Sequence, residues 1–207
     1  MTNLGILASG NGSNLQAVID AIGNKRLRAK IRVVISDNPN AYAIERAKNH
    51  SIKTIVMTKD KFPEKNGFDS ELVRVLKEAG VELVVLAGFM RILSSVVIKA
   101  FPMRVMNIHP SLLPSFPGLD AQKKALAYGA RFSGCTVHFV DEGVDTGPII
   151  IQAAVPVKEG DTVETLSKRI LSEEHRIYPE AIRLFSEGRL VIEGRRISIK
   201  NPECEER

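Results

Sequence analysis

Three polar side chains in two short runs could do chemistry at a carbonyl centre. Asn107 and His109 stand in Asn107-Ile108-His109-Pro110-Ser111-Leu112-Leu113-Pro114, and Asp145 stands in Asp141-Glu142-Gly143-Val144-Asp145-Thr146-Gly147-Pro148. A carboxamide can donate N–H to a carbonyl oxygen that gains negative charge during attack, an imidazole moves protons near neutral pH, and a carboxylate orients and charges that imidazole. The set suits acyl transfer. Asn107 and His109 are two positions apart, so extended backbone turns both toward one face. Asn-x-His alone would serve equally well to tie down a loop. The prolines at 110 and 114, which stiffen the chain just after the polar pair, shift the balance toward chemistry.

A second feature is Gly10-Asn11-Gly12-Ser13-Asn14, set between an apolar run and an amphipathic one. Backbone N–H groups at such a strand-to-helix turn can hold an anion, and glycine lets a phosphate come close. The loop lacks the third glycine of a dinucleotide fingerprint and the lysine of a Walker loop, so a monophosphate fits better than a dinucleotide. Gly and Asn serving backbone geometry alone is the competing reading.

These residues need a frame to position them. Leu4–Ala8, Ile31–Ile35, Lys53–Val56 and Val81–Ala87 read as strands, with Leu15–Ile22, Ala41–Lys48 and Phe68–Ala79 as helices among them. Such alternation predicts βαβ units, a mostly parallel sheet and right-handed crossovers, hence a single α/β Rossmann-like domain over residues 1–200 with helices flanking the sheet. Val105–Ile108 reads as the strand that delivers Asn107 and His109. Phe132–Val140 and Ile149–Pro156 read as later strands, Thr162–Ser186 as a long helix capped by Asp161, Leu190–Glu193 and Arg196–Ile199 as a hairpin, and 201–207 as a flexible tail. In an open parallel sheet, ligands bind beyond the carboxyl ends of strands where the strand order reverses. Ser9–Asn14, Gly88–Ile92 and Asn107–Pro114 all fall at such ends.

Composition bounds the rest. The 207 residues are 44% hydrophobic, enough for one full core. The longest apolar stretch, near Val81–Ala87, contains Glu82 and is far short of a membrane span, and the N-terminus has no secretory pattern, so a cytoplasmic location is expected. Cys135 and Cys204 are isolated, which predicts neither a zinc site nor a disulfide framework. The net charge is +5, with basic residues interleaved among acids rather than gathered in a stripe; neither nucleic acid nor membrane is expected as a partner.

The Asn-x-His and Asp constellation, with Ser9-Gly10-Asn11-Gly12-Ser13-Asn14-Leu15-Gln16, Leu86-Ala87-Gly88-Phe89-Met90-Arg91-Ile92-Leu93 and Glu174-His175-Arg176-Ile177-Tyr178-Pro179, resembles the folate-dependent formyltransferases. The likeness is close to the branch that acts on glycinamide ribonucleotide in purine synthesis, and it runs from Leu4 to about Leu190. It implies catalytic roles for Asn107, His109 and Asp145. Asn11, Gly12 and Ser13 would hold the substrate phosphate, and Glu174 would lie near the substrate amine. Lys65, Met90, Arg91, Ile92, Leu93 and Asn107 would line the folate site. Lys65 stands where many relatives have arginine; it keeps the charge but loses the bidentate fork.

The resemblance further implies 10-formyltetrahydrofolate as co-substrate, no metal, small-molecule substrates only, and a monomer or homodimer. Asp145 is expected to raise the pKa of His109. His138 reads as a supporting residue, His50 as a helix cap and His175 as structural. Hydrolysis of the formyl-folate, formylation of a charged tRNA, and a non-catalytic nucleotide- or folate-binding module are the alternatives. The phosphate loop speaks against the first, the absence of an RNA-binding surface against the second, and the polar triad against the third.

Overall fold

The computed structural model describes residues 1–62, 64 and 66–201. In chain order the elements are β1 (Thr2–Leu7), α1 (Ser13–Gly23), β2 (Ala29–Ser36), α2 (Tyr42–Asn49), β3 (Thr54–Val56), a 3₁₀ turn (Lys59–Lys61), α3 (Gly67–Glu78), β4 (Leu83–Leu86), α4 (Ser95–Ala100), β5 (Val105–His109), α5 (Ala121–Tyr128), β6 (Phe132–Phe139), β7 (Ile149–Pro156), α6 (Val163–Ser186), β8 (Leu190–Glu193) and β9 (Arg196–Ile199). Seven strands form one sheet in the order β3-β2-β1-β4-β5-β6-β7, and β8 and β9 pair separately. Pairing is parallel from β3 to β5 and antiparallel at β5–β6 and β6–β7. The expected mostly parallel α/β sheet is what forms.

The β4 sequence Leu83-Val84-Val85-Leu86 is buried at every position, as a central parallel strand covered on both faces must be. One face carries Leu4, Ile6, Val34, Leu83, Val85, Met106 and the apolar sides of α1, α2 and α6. The other carries Leu7, Val33, Ile35, Val84, Leu86 and the apolar sides of α3 and α4. Strand alternation thus feeds two cores, and helices seal both.

The strand order reverses between β1 and β4, because β1 runs on to β2 on one side and pairs with β4 on the other. The loops leaving β1 and β4 are joined there: Ser9 N–H donates to the Gly88 carbonyl at 3.0 Å, and Met90 N–H donates to Ser9 Oγ at 2.9 Å. From α6 the fully buried Tyr178 turns its hydroxyl to the Leu86 carbonyl at 2.8 Å and the Met106 carbonyl at 2.9 Å. Tyr178→Phe is expected to destabilise the protein by about 1–2 kcal/mol in urea unfolding, with the sheet otherwise unchanged.

Two details differ from expectation. The α6 cap is Thr162, whose side chain accepts from Thr165 N–H in a capping box, while Asp161 instead pairs with Arg169 at 2.8 Å and accepts from Lys158 N–H. Asp161 nevertheless sits one residue away, and its carboxyl is held far below the usual carboxylate range, chiefly by Arg169. The short helices α4 and α5 carry too few turns to register as periodic patterns. His50 is the C-cap of α2, as expected. Of the 201–207 tail, residues 202–207 lie outside the described residues, as does Lys65. Among the described residues no helix is long and apolar enough to cross a membrane.

Candidate active site

β5 ends in the site. Asn107 pairs in register with His138 and His109 with Thr136 across the antiparallel β5–β6 seam, so the two strands present Asn107 and His138 side by side. The chain then turns at Pro110 and is pinned to β6. Thr136 Oγ1 donates to the Ser111 carbonyl at 2.7 Å and accepts from Leu113 N–H at 3.0 Å, while Gln152 Nε2 bonds the Leu113 carbonyl at 2.9 Å. This buried network fixes the direction in which His109 leaves the strand.

Asp145 comes from the loop between β6 and β7. Its φ of 55° is left-handed, a conformation that costs a residue with a Cβ and that the surrounding contacts hold in place. Its Oδ2 lies 3.2 Å from His109 Nδ1 and accepts Gly118 N–H at 2.8 Å; its Oδ1 lies 3.7 Å from His138 Nε2. His109 and Asp145 therefore meet, and His138 links them to Asn107. Nδ1 of His138 faces the Phe139 carbonyl at 2.8 Å and donates to it, while Nε2 lies 3.3 Å from Asn107 Nδ2. His138 thereby sets the Asn107 amide with its nitrogen toward the ring, leaving the second N–H of that nitrogen for another acceptor. That is the supporting role expected of it.

The electrostatics depart from expectation. Burial pushes the His109 pKa below its ordinary value, and the Phe116 carbonyl and Asp145, which both work upward, do not overcome it. Asp145 raises the imidazole pKa as expected in sign; desolvation is larger. Both ring nitrogens face acceptors, Asp145 at Nδ1 and the Phe116 carbonyl at Nε2, 3.0 Å away, and a neutral ring can donate to only one of them. Burial also works to raise the Asp145 pKa, but His138, Gly118 N–H and His109 together hold it below the usual range.

Asn11, Gly12 and Ser13 lie at the carboxyl end of β1, where Gly12 is the N-cap of α1 with φ 73°. A Cβ on Gly12 would come within 2.7 Å of the Ala43 Cβ, so this glycine serves packing against α2 as well as any ligand. Two contacts of this region escaped sequence reasoning. Arg46 of α2 grips the loop, its Nε donating to the Asn11 carbonyl at 2.8 Å and one terminal nitrogen to Asn11 Oδ1 at 3.0 Å, with the guanidinium over the Tyr42 ring. Asn14 is buried and donates from Nδ2 to Glu174 Oε2 at 2.8 Å, while its Oδ1 is buried with no partner among the described residues. Burial raises the Glu174 pKa despite that bond. The resemblance alone singled out Glu174; nothing in sequence reports a contact between positions 14 and 174.

The segment Met90–Leu93 leaves β4 without regular structure, beside the β1 loop. Met90 and Ile92 are 70% and 76% exposed, and Leu119 and Val144 also expose apolar surface. Exposed apolar side chains around polar groups suit a flat aromatic ligand. The Arg91 guanidinium lies 3.9 Å from the centre of the Phe68 ring, and Leu93 is buried in the α3–α4 core, so Leu93 can offer a ligand only its backbone.

The chain is similar to known proteins over most of its length. Residues 2–182 match the family model described as formyl transferase. The chain is 43% identical over 188 residues to the phosphoribosylglycinamide formyltransferase of Escherichia coli K12, covering 91% of this chain and 89% of that protein. It is 51% identical over 187 residues to the trifunctional purine biosynthetic protein adenosine-3 of Drosophila pseudoobscura pseudoobscura, of whose length it spans only 14%. The crystal structure of glycinamide ribonucleotide transformylase 1 from Symbiobacterium toebii superposes with a TM-score of 0.96 at 56% identity, covering 97% of this chain and 95% of that one. The matched span, the shared fold and the level of identity place this chain in the formyl transferase family.

Proposed function

We propose that the protein transfers the formyl group of 10-formyltetrahydrofolate to the amine of glycinamide ribonucleotide, giving formylglycinamide ribonucleotide and tetrahydrofolate in purine biosynthesis. The observation that carries this reading is the convergence, at one switch point of the sheet, of a glycine-rich anion loop with a carbonyl-activating set of Asn107, His109 and Asp145. In the reaction the neutral amine attacks the formyl carbon, a C–N bond forms, and the carbonyl electron pair moves to oxygen. The free N–H of Asn107 and the Nε2–H of His109, in the protonated ring that Asp145 favours and that alone carries hydrogen on both nitrogens, stabilise that oxyanion. The amine proton then leaves, the bond to the folate nitrogen breaks, and that nitrogen takes a proton. Nε2 is the ring atom available for this work because Nδ1 is engaged by Asp145. The formyl oxygen takes over the acceptor position that the Phe116 carbonyl fills at Nε2.

The remaining assignments follow from placement. Asn11, Gly12 and Ser13 hold the phosphate, and Glu174 with the unpartnered Asn14 Oδ1 receives N–H groups of the glycinamide. Met90–Leu93 flank the pterin. The chemistry needs no metal, and both substrates are small molecules. Hydrolysis of formyl-folate is the second reading, since water could use the same triad; the loop held by Arg46 favours the ribonucleotide. Incubation with formyl-folate, with and without glycinamide ribonucleotide, decides between them: formate release independent of the ribonucleotide would overturn the proposal. Arg46→Met should raise the ribonucleotide KM about tenfold and leave the formyl-folate KM unchanged, because it removes a charge-assisted grip on the anion loop alone.

A further inference from the structure

The β8–β9 hairpin lies beyond residues 2–182, the span that matches the family model. It is nevertheless fastened to the domain. Leu190 and Ile197 pack against the main core, and Arg189 and Lys200 close its base with a backbone hydrogen bond of 2.8 Å. Its two-residue turn is Gly194-Arg195, with Gly194 at φ 60°, and the turn projects Arg195 toward the loop between β6 and β7. There a terminal nitrogen of Arg195 donates to the Thr146 carbonyl at 2.7 Å, across 49 positions of sequence.

Thr146 directly follows Asp145. The loop has few other anchors. Thr146 Oγ1 and Gly143 N–H turn inward to Asp141 Oδ1, and the loop ends at Gly147, which has no room for a Cβ because one would run into the Phe139 carbonyl. Asp141 thus closes the loop on itself, and Gly147 fixes its exit. Among the described residues, the Asp145 carboxylate and Arg195 are what tie its middle to other parts of the molecule.

We propose that Arg195 is a positioning residue for the reaction: by holding the Thr146 carbonyl, the hairpin tip keeps the left-handed Asp145 turned so that its carboxylate meets His109 and His138. The proposal rests on the reading of Asp145 given above. Arg195 touches neither His109 nor any atom assigned to substrate, so it acts through the backbone of residues 145 and 146.

The groups facing the His109 ring are Asp145 at Nδ1, the Phe116 carbonyl at Nε2, and the charges of His138 and Lys124. Of these only Asp145 depends on the loop. Loosening the loop removes a group that raises the His109 pKa, so the imidazole should titrate at lower pH. The test uses the full chain with Arg195→Met, which keeps an unbranched apolar stem and removes the donors, and Arg195→Lys, which restores a donor. For Arg195→Met the expected results are a His109 titration midpoint shifted downward by NMR, faster amide exchange confined to 141–147, kcat about fivefold lower and the ribonucleotide KM unchanged; fivefold is the scale of one exposed hydrogen bond. Arg195→Lys should recover most of each change. A wild-type His109 titration and wild-type exchange at 141–147 in Arg195→Met would overturn the proposal, as would faster exchange spread over the whole chain. Titration and exchange need no turnover. Should the wild-type protein fail to formylate the ribonucleotide, they would still decide the role of Arg195, while the assigned reaction alone would fall.

Discussion

Asp145→Asn is expected to lower turnover by about 10²–10⁴ while the protein stays folded. The fold survives because asparagine can repeat most of the geometry. Its Oδ1 can take the place of Oδ2, accepting from Gly118 N–H and from His109 Nδ1, and its amide nitrogen then lies on the side of His138. What vanishes is the negative charge beside a buried imidazole. Burial already drives His109 toward its neutral form, and Asp145 is one of only two groups that oppose burial there. Without it the imidazole gives up its proton more readily and cannot answer charge growing on the formyl oxygen. The sign for stability follows as well. The Asp145 carboxyl is held below its reference value of 3.8, so its contribution is present above that pH and is lost as pH falls through the lower, folded value. Steady-state turnover beside a thermal melt separates the cases; near-normal turnover would remove Asp145 from the mechanism.

Asn107→Ala should reduce kcat by about 10²–10³ and cost about 1 kcal/mol of stability, since His138 Nε2 loses its hydrogen-bond donor. The strand itself should persist, because Asn107 contributes to β5 through backbone pairing with Leu86 and His138. Per-molecule turnover corrected for folded fraction is the decisive quantity. A collapsed melting temperature with normal turnover per folded molecule would reduce Asn107 to a brace of the β5–β6 seam.

Much of this was readable in advance, and for identifiable reasons. Strands such as Val84–Leu86 are continuous apolar runs because they are covered on both faces, and that pattern survives without coordinates. Asn107 and His109 were legible because a period of two is all that is needed to aim them. The contacts that were missed join positions far apart: Asn14 with Glu174, Arg46 with Asn11, Arg195 with Thr146. No local pattern encodes such a pair. The effect of burial on the His109 pKa was out of reach for a related reason. The charge partner was visible in sequence, whereas the depth of burial depends on the Phe116–Gly118 chain folding over the ring. Gly12 was read as clearance for a phosphate, and its second duty, clearance for Ala43, needed α2 in place.

That second duty ties the loop's history to a helix outside the reaction. Gly12 and Ala43 meet so closely that each limits the size of the other, and the Ala43 N–H donates to the Gly10 carbonyl at 3.1 Å. Drift at position 43 toward any larger side chain would press on the anion loop from behind without touching a ligand. Among descendants of this sequence, positions 12 and 43 should therefore change together or stay small together, and a lineage abandoning the ribonucleotide should be the one in which that constraint lapses.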